Sequence, residues 1–501
     1  MGLAARFSRI WSKNARLPLS PLSAPWSKPA EENRPAAPKA KPPEPPLRLS
    51  PRHKACLPLL LAAALPAGAA QAVHVTYWEK WVGFEAQADQ AVIDRFNRSQ
   101  DRIVVDYSSV SHTDRKTLVA TAGGDPPDIA GLNEQNIATF ADAEALLPLD
   151  DFIRRDGMTN TEWLSRYYPV YARICSHAGH VYAGISTPKV MALYWNKTLF
   201  REAGLDPDRP PRTLAEFDDY SRRLTKRDPA TGRLTQVGFL PQDPGWWPWI
   251  FCSWFGGKLF DEQRVTFASD PRNVAAYDWI QSFTRDYGLD NVKVLSSEFG
   301  PWASPSAPFF TGRIAMVFQG VFYDNYIHQY KPGLDYGVGP WPEAVPGVTD
   351  FAMAEADVLV IPRGARHVRE AWEFIKYVNS ANPDARTRDE LRGAELLDYL
   401  QVKNSPLRVW SPFFAEHNLH PHIAMMRRLS ASPNVVSAPD LGIWQEYYRE
   451  VISSFDRVRL LDATPREAMA FSQSRLEKSW ERYRRSLERH GQWAALGETA
   501  P

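Results

Sequence analysis

Only three of the 501 residues are cysteine, so no framework of disulfides holds this chain together and no C-x-x-C redox or metal spacing is present. Catalytic signatures are missing as well. No G-x-S-x-G, H-E-x-x-H, G-x-x-x-x-G-K-[ST] or G-x-G-x-x-G occurs, which removes the commonest hydrolase, zinc-protease, phosphate-loop and dinucleotide readings. His420-Pro421-His422 lacks the i, i+4 spacing of a helical zinc pair, so no metal and no cofactor is expected. A strong charge of one sign is also lacking: 59 Lys+Arg face 58 Asp+Glu, for a formal +1. Residues 1–72 hold 11 basic and 3 acidic residues, leaving 48 basic against 55 acidic beyond them. An acidic excess disfavours a polyanion-binding body, and no nucleic-acid partner is expected. There is no internal repeat.

What the chain does have is length and apolar material. At 501 residues, 44% hydrophobic and 12% aromatic, it exceeds what one compact core usually holds, and two or more lobes are expected. Residues 1–51 carry 11 of the 42 prolines without apolar periodicity and read as a disordered extension or a start site placed too early. No Met lies between Met1 and Met158, so a later start would use another codon. Residues 52–72 then run from Arg52-His53-Lys54 through an apolar stretch at 55–65 to Ala70-Gln71-Ala72. That is the order of a cleaved secretory signal peptide, with Val73 as the mature start and the periplasm as the destination. Pro58, Pro66 and Gly68 break the stretch and leave it too short for a membrane span. No Cys stands at the cleavage point and no adjacent Arg pair precedes the apolar stretch, so a lipid anchor and a twin-arginine route are not indicated. Cys175 and Cys252 are either one bridge or two buried thiols.

Beyond residue 73 the pattern alternates. Val73–Trp78 and Ile103–Tyr107 read as strands, Ala88, Ala91, Val92 and Phe96 as a helix stripe between them, and Asp128–Gly131 as a third strand after a helix near 116–122. A βαβαβ order predicts a parallel sheet with ligands at the carboxyl ends of its strands. Further on, Thr213 and Glu216 form a capping box, Asp270-Pro271 and Thr464-Pro465 open helices, and Val358–Ile361 is a buried strand followed by a helix over 368–378.

Six segments in order over residues 73 to about 380 resemble the bacterial extracellular solute-binding proteins of ABC transporters, family 1, the maltodextrin type. They are Tyr77–Trp81, Gly123–Ile129, Tyr194–Leu205, Pro210–Thr213, Phe309–Met316 and Ala371–Val378. The resemblance implies an α/β fold of periplasmic-binding-protein type II, with two lobes and a ligand cleft between them. It places lobe 1 at 73–183 plus about 350–400 and lobe 2 at 184–349 plus about 401–490, with crossings near 181–190 and 350–358. It also implies capture of a sugar, no catalysis, and delivery by a monomer to a membrane permease.

Sugar rings present apolar C–H faces and hydroxyls, so a sugar site needs aromatic planes together with carboxylates or amides. Sixteen of the 18 Trp lie beyond residue 72. Trp279, Trp372 and Trp480 fall on helix stripes and read as core. Trp246 and Trp247 sit between Gly245 and Pro248, where no regular helix face explains them, and they align with the family's aromatic ligand-contacting segment. Phe322 and Tyr323 match another such segment, and Trp444 aligns with a family cleft tryptophan. Glu79, Lys80 and Trp81 follow the first strand, and Asn133 and Glu134 the third, where the switch-point rule puts ligands. Trp341, between two prolines, and Glu355 complete the candidate ligand-binding set. Core packing or a solvated loop is the competing role at each position. Two other functions stay open: an exported glycoside hydrolase, which needs two carboxylates across one bond, and the same fold caging a cationic solute with Glu79, Glu134 and Glu355.

Overall fold

The computed structural model describes residues 71–261 and 264–489; the proline-rich extension and nearly all of the expected signal peptide lie outside them. Three strands, β1 (Val73–Glu79), β2 (Ile103–Ser109) and β3 (Ile129–Asn133), are parallel in the order β3-β1-β2. Helices α1 (Gly83–Ser99) and α2 (Thr113–Ala122) connect them, as the alternating pattern predicts. The strand order reverses between β1 and β3, so Glu79, level with Gly131, and Asn133, two residues further along β3, both lie at the switch point.

The rest of the sheet hangs on one long strand. β4 (Ala183–Asn196) has thirteen buried residues of fourteen, Lys189 being the exception. Such two-faced burial suits a near-continuous apolar run. Helices α3 (Leu214–Leu224), α4 (Ile250–Trp254) and α5 (Pro271–Tyr287) follow β4, then β5 (Met316–Gly320), α6 (Tyr323–Tyr330), β6 (Tyr336–Gly339) and β7 (Ala352–Val360). β7 runs antiparallel between β3 and β4, while β5 and β6 flank the far end of β4. Then come α7 (Val368–Val378), α8 (Gly393–Gln401), α9 (Ile423–Ser430), the short β8 (Val435–Val436) beside β7, α10 (Trp444–Arg459) and α11 (Pro465–Arg489).

Two hydrophobic cores share this sheet. Val190, Ala192 and Tyr194 of β4 enter the first, and Met191, Leu193 and Trp195 enter the second, the period-2 alternation of a strand covered on both faces. The first core also takes residues from β1–β3, α7 and α8, with Leu407, Phe414 and Met426. The second takes α3, α4, α5, Leu441, Trp444 and the inner stripe of α11, Leu476 and Trp480. Cys175 lies buried in the first and Cys252 in the second, both as free thiols. The α3 cap differs from the expected box. Thr213 accepts the Glu216 N–H at 3.2 Å, but Glu216 turns back one residue further to the Arg212 N–H at 2.8 Å.

A third passage between the cores follows β8 and is pinned by one histidine. His177 is 2% exposed, and its two ring nitrogens lie 2.9 Å from Asp142 and 2.8 Å from Asp440. A carboxylate only accepts, so both nitrogens carry protons. Burial opposes that charge, but the two aspartates hold the His177 pKa up at about 10.

Candidate functional site

A single extra residue in β4 aims the site. Ile185 pairs with Val358 and Thr187 with Asp357, leaving Ser186 as a bulge that reverses which side of the strand faces the first core. Before it Ile185 points into the first core; beyond it the even positions do. Thr187 and Lys189 therefore face the same side as Glu355 and Asp357 of β7, directly across in register. Pro188 stands opposite Ala356, whose N–H is turned to Glu134 Oε2 at 3.4 Å. Antiparallel partners bond only at alternate pairs, so the missing proline N–H falls where β4 owes none.

This floor meets the ends of the parallel strands. Glu79 is fully buried, with Oε2 taking the Tyr77 hydroxyl at 3.0 Å and Oε1 the Lys80 N–H at 2.7 Å. Gly131 makes room for it: a Cβ there would lie 1.9 Å from Glu79 Oε2. Lys80 Nζ reaches Asp357 Oδ1 at 2.7 Å and Glu79 Oε1 at 3.7 Å, and Lys189 Nζ lies 3.2 Å from Asp357 Oδ2. Lys403 pairs with Glu85 at 3.1 Å. All three ammonium groups lie 5.0–5.7 Å from the Trp81 ring centroid, within cation–π range. Burial opposes the Asp357 carboxylate, but Lys189 and Lys80 hold its pKa below the ordinary aspartate value. Burial raises the pKa of Glu79 and of Glu355, and burial followed by the neighbouring Glu355 carboxylate raises that of Glu134 well above the ordinary glutamate value.

Aromatic rings run across the same junction. Phe84 lies 6.3 Å from Tyr326, Tyr326 4.8 Å from Trp302, Trp302 4.7 Å from Trp246, and Trp246 5.2 Å from Trp247, all near edge-to-face. All five are half-buried, and Trp302 and Tyr326 pack against both cores. Trp247 Nε1 donates to Glu355 Oε1 at 2.6 Å, joining aromatic run to floor. Gln135 donates to the same oxygen at 3.3 Å and accepts the Trp444 indole N–H at 3.2 Å.

The structure thus gathers Glu79, Lys80, Trp81, Glu134, Trp246, Trp247 and Glu355. Asn133 lies beside them, opposite Asp357 in register, but its amide is spent on Asp114 at 2.9 Å. Trp444 is fully buried and reaches the group through Gln135, to which its indole N–H donates, and through Tyr448, whose ring lies 6.1 Å away and whose hydroxyl donates to the Trp246 carbonyl. Three expected residues face cores instead. Trp341 lies flat on Phe318 at 3.5 Å, 2% exposed, with its ring against Phe251 and Trp254 of α4. Tyr323 stacks on Phe310 in the first core, and Phe322 packs in the second with its edge on Trp302. Lys189, Asp357, Lys403, Gln135, Trp302 and Tyr326 escaped sequence reasoning. Lys189 and Asp357 had a signal: Lys189 is the one charge in its apolar strand run, and Asp357 shares another such run with Glu355.

Comparisons with known proteins agree with this architecture. The sn-glycerol-3-phosphate-binding periplasmic protein of Escherichia coli K12 is 25% identical over 311 residues, 59% of this chain and 66% of that protein, and its Shigella flexneri counterpart matches to the same extent. The chain spans just under two thirds of these relatives. Among solved structures, CpMnBP1 with mannobiose bound superposes with a TM-score of 0.68 at 24% identity, covering 80% of this chain and 98% of that one. The sugar-binding protein MalE of Xanthomonas citri gives 0.66 at 19%, covering 83% and 99%. They share the two-lobed, type II periplasmic-binding-protein fold. Residues 84–383 match the profile of the bacterial extracellular solute-binding proteins, and the chain belongs to that family.

Proposed function

We propose that this protein is the extracytoplasmic solute-capturing component of an ABC importer, that it binds a carbohydrate between its two cores, and that it passes the solute to a membrane permease. One observation carries the proposal: a carboxylate floor and a run of half-buried rings meet at one sheet junction, as sugar hydroxyls and C–H faces require. The names of the structural neighbours, a mannobiose complex and a sugar-binding protein, support sugar. The relatives named for glycerol 3-phosphate support an extracytoplasmic solute more than that particular one, since all three lysines here already face carboxylates. The two cores are the two lobes, crossed by β4, β7 and the segment after β8. The protein acts in the periplasm, as a monomer and without catalysis, after removal of residues 52–72 and whatever precedes them. No helix among the described residues is long and apolar enough to cross a membrane.

The test is a thermal-shift screen with mannobiose, maltotriose, glycerol 3-phosphate and putrescine, followed by recovery of the bound compound. A ligand at a hundredfold its Kd stabilises the folded state by about 2.7 kcal/mol. A sugar that raises the melting temperature and is recovered intact supports the proposal. A shift with glycerol 3-phosphate alone, or cleavage of the sugar, overturns it.

A further inference from the structure

We infer that Glu134 and Glu355 together hold an ammonium group of the solute, so that the carbohydrate captured is an amino sugar with a free amine; this rests on the carbohydrate reading of the same site. Every lysine at the floor has a carboxylate within ion-pair distance: Lys80 and Lys189 share Asp357, Lys80 also nears Glu79, and Lys403 takes Glu85. Glu134 and Glu355 have no cation that close among the described residues. Glu355 is 7% exposed, and Oε1 receives both its hydrogen bonds, from Trp247 and Gln135. Its Oε2 accepts none. Glu134 Oε1 is buried without a hydrogen-bond partner from another residue, and its Oε2 takes a long bond from the Ala356 N–H at 3.4 Å; the carboxylate's one other contact is its own backbone N–H.

A hydroxyl offers one donor and no charge, whereas an ammonium offers three donors and the missing charge. A phosphorylated solute would meet like charge here. Because burial raises the pKa of both carboxylates, and the Glu355 carboxylate raises that of Glu134 further, a cation between them takes the place of a retained proton. The other charged and titratable groups facing the pair are Lys189 and Asp357 from the floor strands, Lys80 from the end of β1 and Tyr448 from α10. Amine binding should therefore release a proton and tighten as pH rises through the raised glutamate pKa, until the amine itself deprotonates. Neutral sugars should show neither effect.

Calorimetry on the mature chain, in two buffers of different ionisation enthalpy, compares free-amine and N-acetylated disaccharides of gluco, galacto and manno configuration. Mannobiose, putrescine and glycerol 3-phosphate complete the panel. At least one free-amine disaccharide should bind tenfold or more tighter than its acetylated twin and release a proton, and Glu134→Gln should abolish that advantage without lowering the melting temperature. Equal affinity within every pair, preference for the acetylated or neutral sugar, or an advantage that survives Glu134→Gln overturns the amine assignment and leaves the carbohydrate reading standing. Putrescine or glycerol 3-phosphate binding without any sugar, or no binding at all, overturns both.

Discussion

Trp247 separates a binding role from a packing one. Its ring is half-buried and its indole N–H donates at 2.6 Å to Glu355, a carboxylate almost wholly out of water. Trp247→Phe keeps an aromatic plane and removes the donor; Trp247→Ala removes both. A hydrogen bond to a charged group contributes about 1.5–3 kcal/mol, so the Phe variant should lose up to that much stability. Truncating a fully buried Trp costs about 3–5 kcal/mol; a half-buried ring should cost roughly half as much in packing, about 2 kcal/mol. If the ring stacks on solute, the Ala variant also gives up about 1–3 kcal/mol of binding, roughly ten- to a hundredfold in Kd, while Phe keeps most of it. Urea unfolding and calorimetric titration on the same samples read both quantities. The Ala variant, losing ring and donor together, should lose about 3.5–5 kcal/mol of stability; affinity unchanged in its folded fraction would refute the reasoning.

Three further outcomes follow from the same geometry. Trp341→Ala should be the converse, costing about 3–5 kcal/mol of stability with Kd unchanged, as measured by the same pair of experiments. Gly131→Ala should push Glu79 off its site, because its new methyl falls on the carboxylate; a loss of about 1–3 kcal/mol from overpacking together with weaker solute binding is expected, and unchanged binding would contradict it. His177→Gln tests the pin between the cores. A histidine pKa raised from 6.5 to about 10 stabilises the fold fully below pH 6.5 and ceases to as pH rises through 10, so the gap between wild type and variant should be on the order of 4 kcal/mol at pH 7 and close toward pH 10. A gap independent of pH would show that the ring is neutral.

The parallel half of the sheet was legible because its alternation is strong, and the switch point followed from strand order alone. Glu79, Lys80 and Glu134 were put at strand ends that way, and Trp246 and Trp247 were singled out by the glycine and proline around them and by the family resemblance of their segment. What stayed hidden depends on register. Nothing local in Ile185-Ser186-Thr187-Pro188 announces that Ser186 is skipped, yet that one residue decides that Lys189 faces Glu355. Trp302 and Tyr326 come from segments remote from Trp246 in sequence, and only packing brings their rings together. Trp341 misled because prolines mark irregular backbone without saying which way the ring between them points. The C-terminal division between lobes, expected near residue 400, has no compositional mark; residues up to Val435 pack on the first core and those from Leu441 on the second.

A crystal structure of the mature protein grown with the disaccharide that calorimetry ranks first tests the central claim most directly. One solute molecule is expected between the two cores, its hydroxyls or amine on Glu134 and Glu355 and a ring face against Trp246 or Trp247. A solute held by one lobe alone, or a site left empty at a saturating concentration, would contradict it.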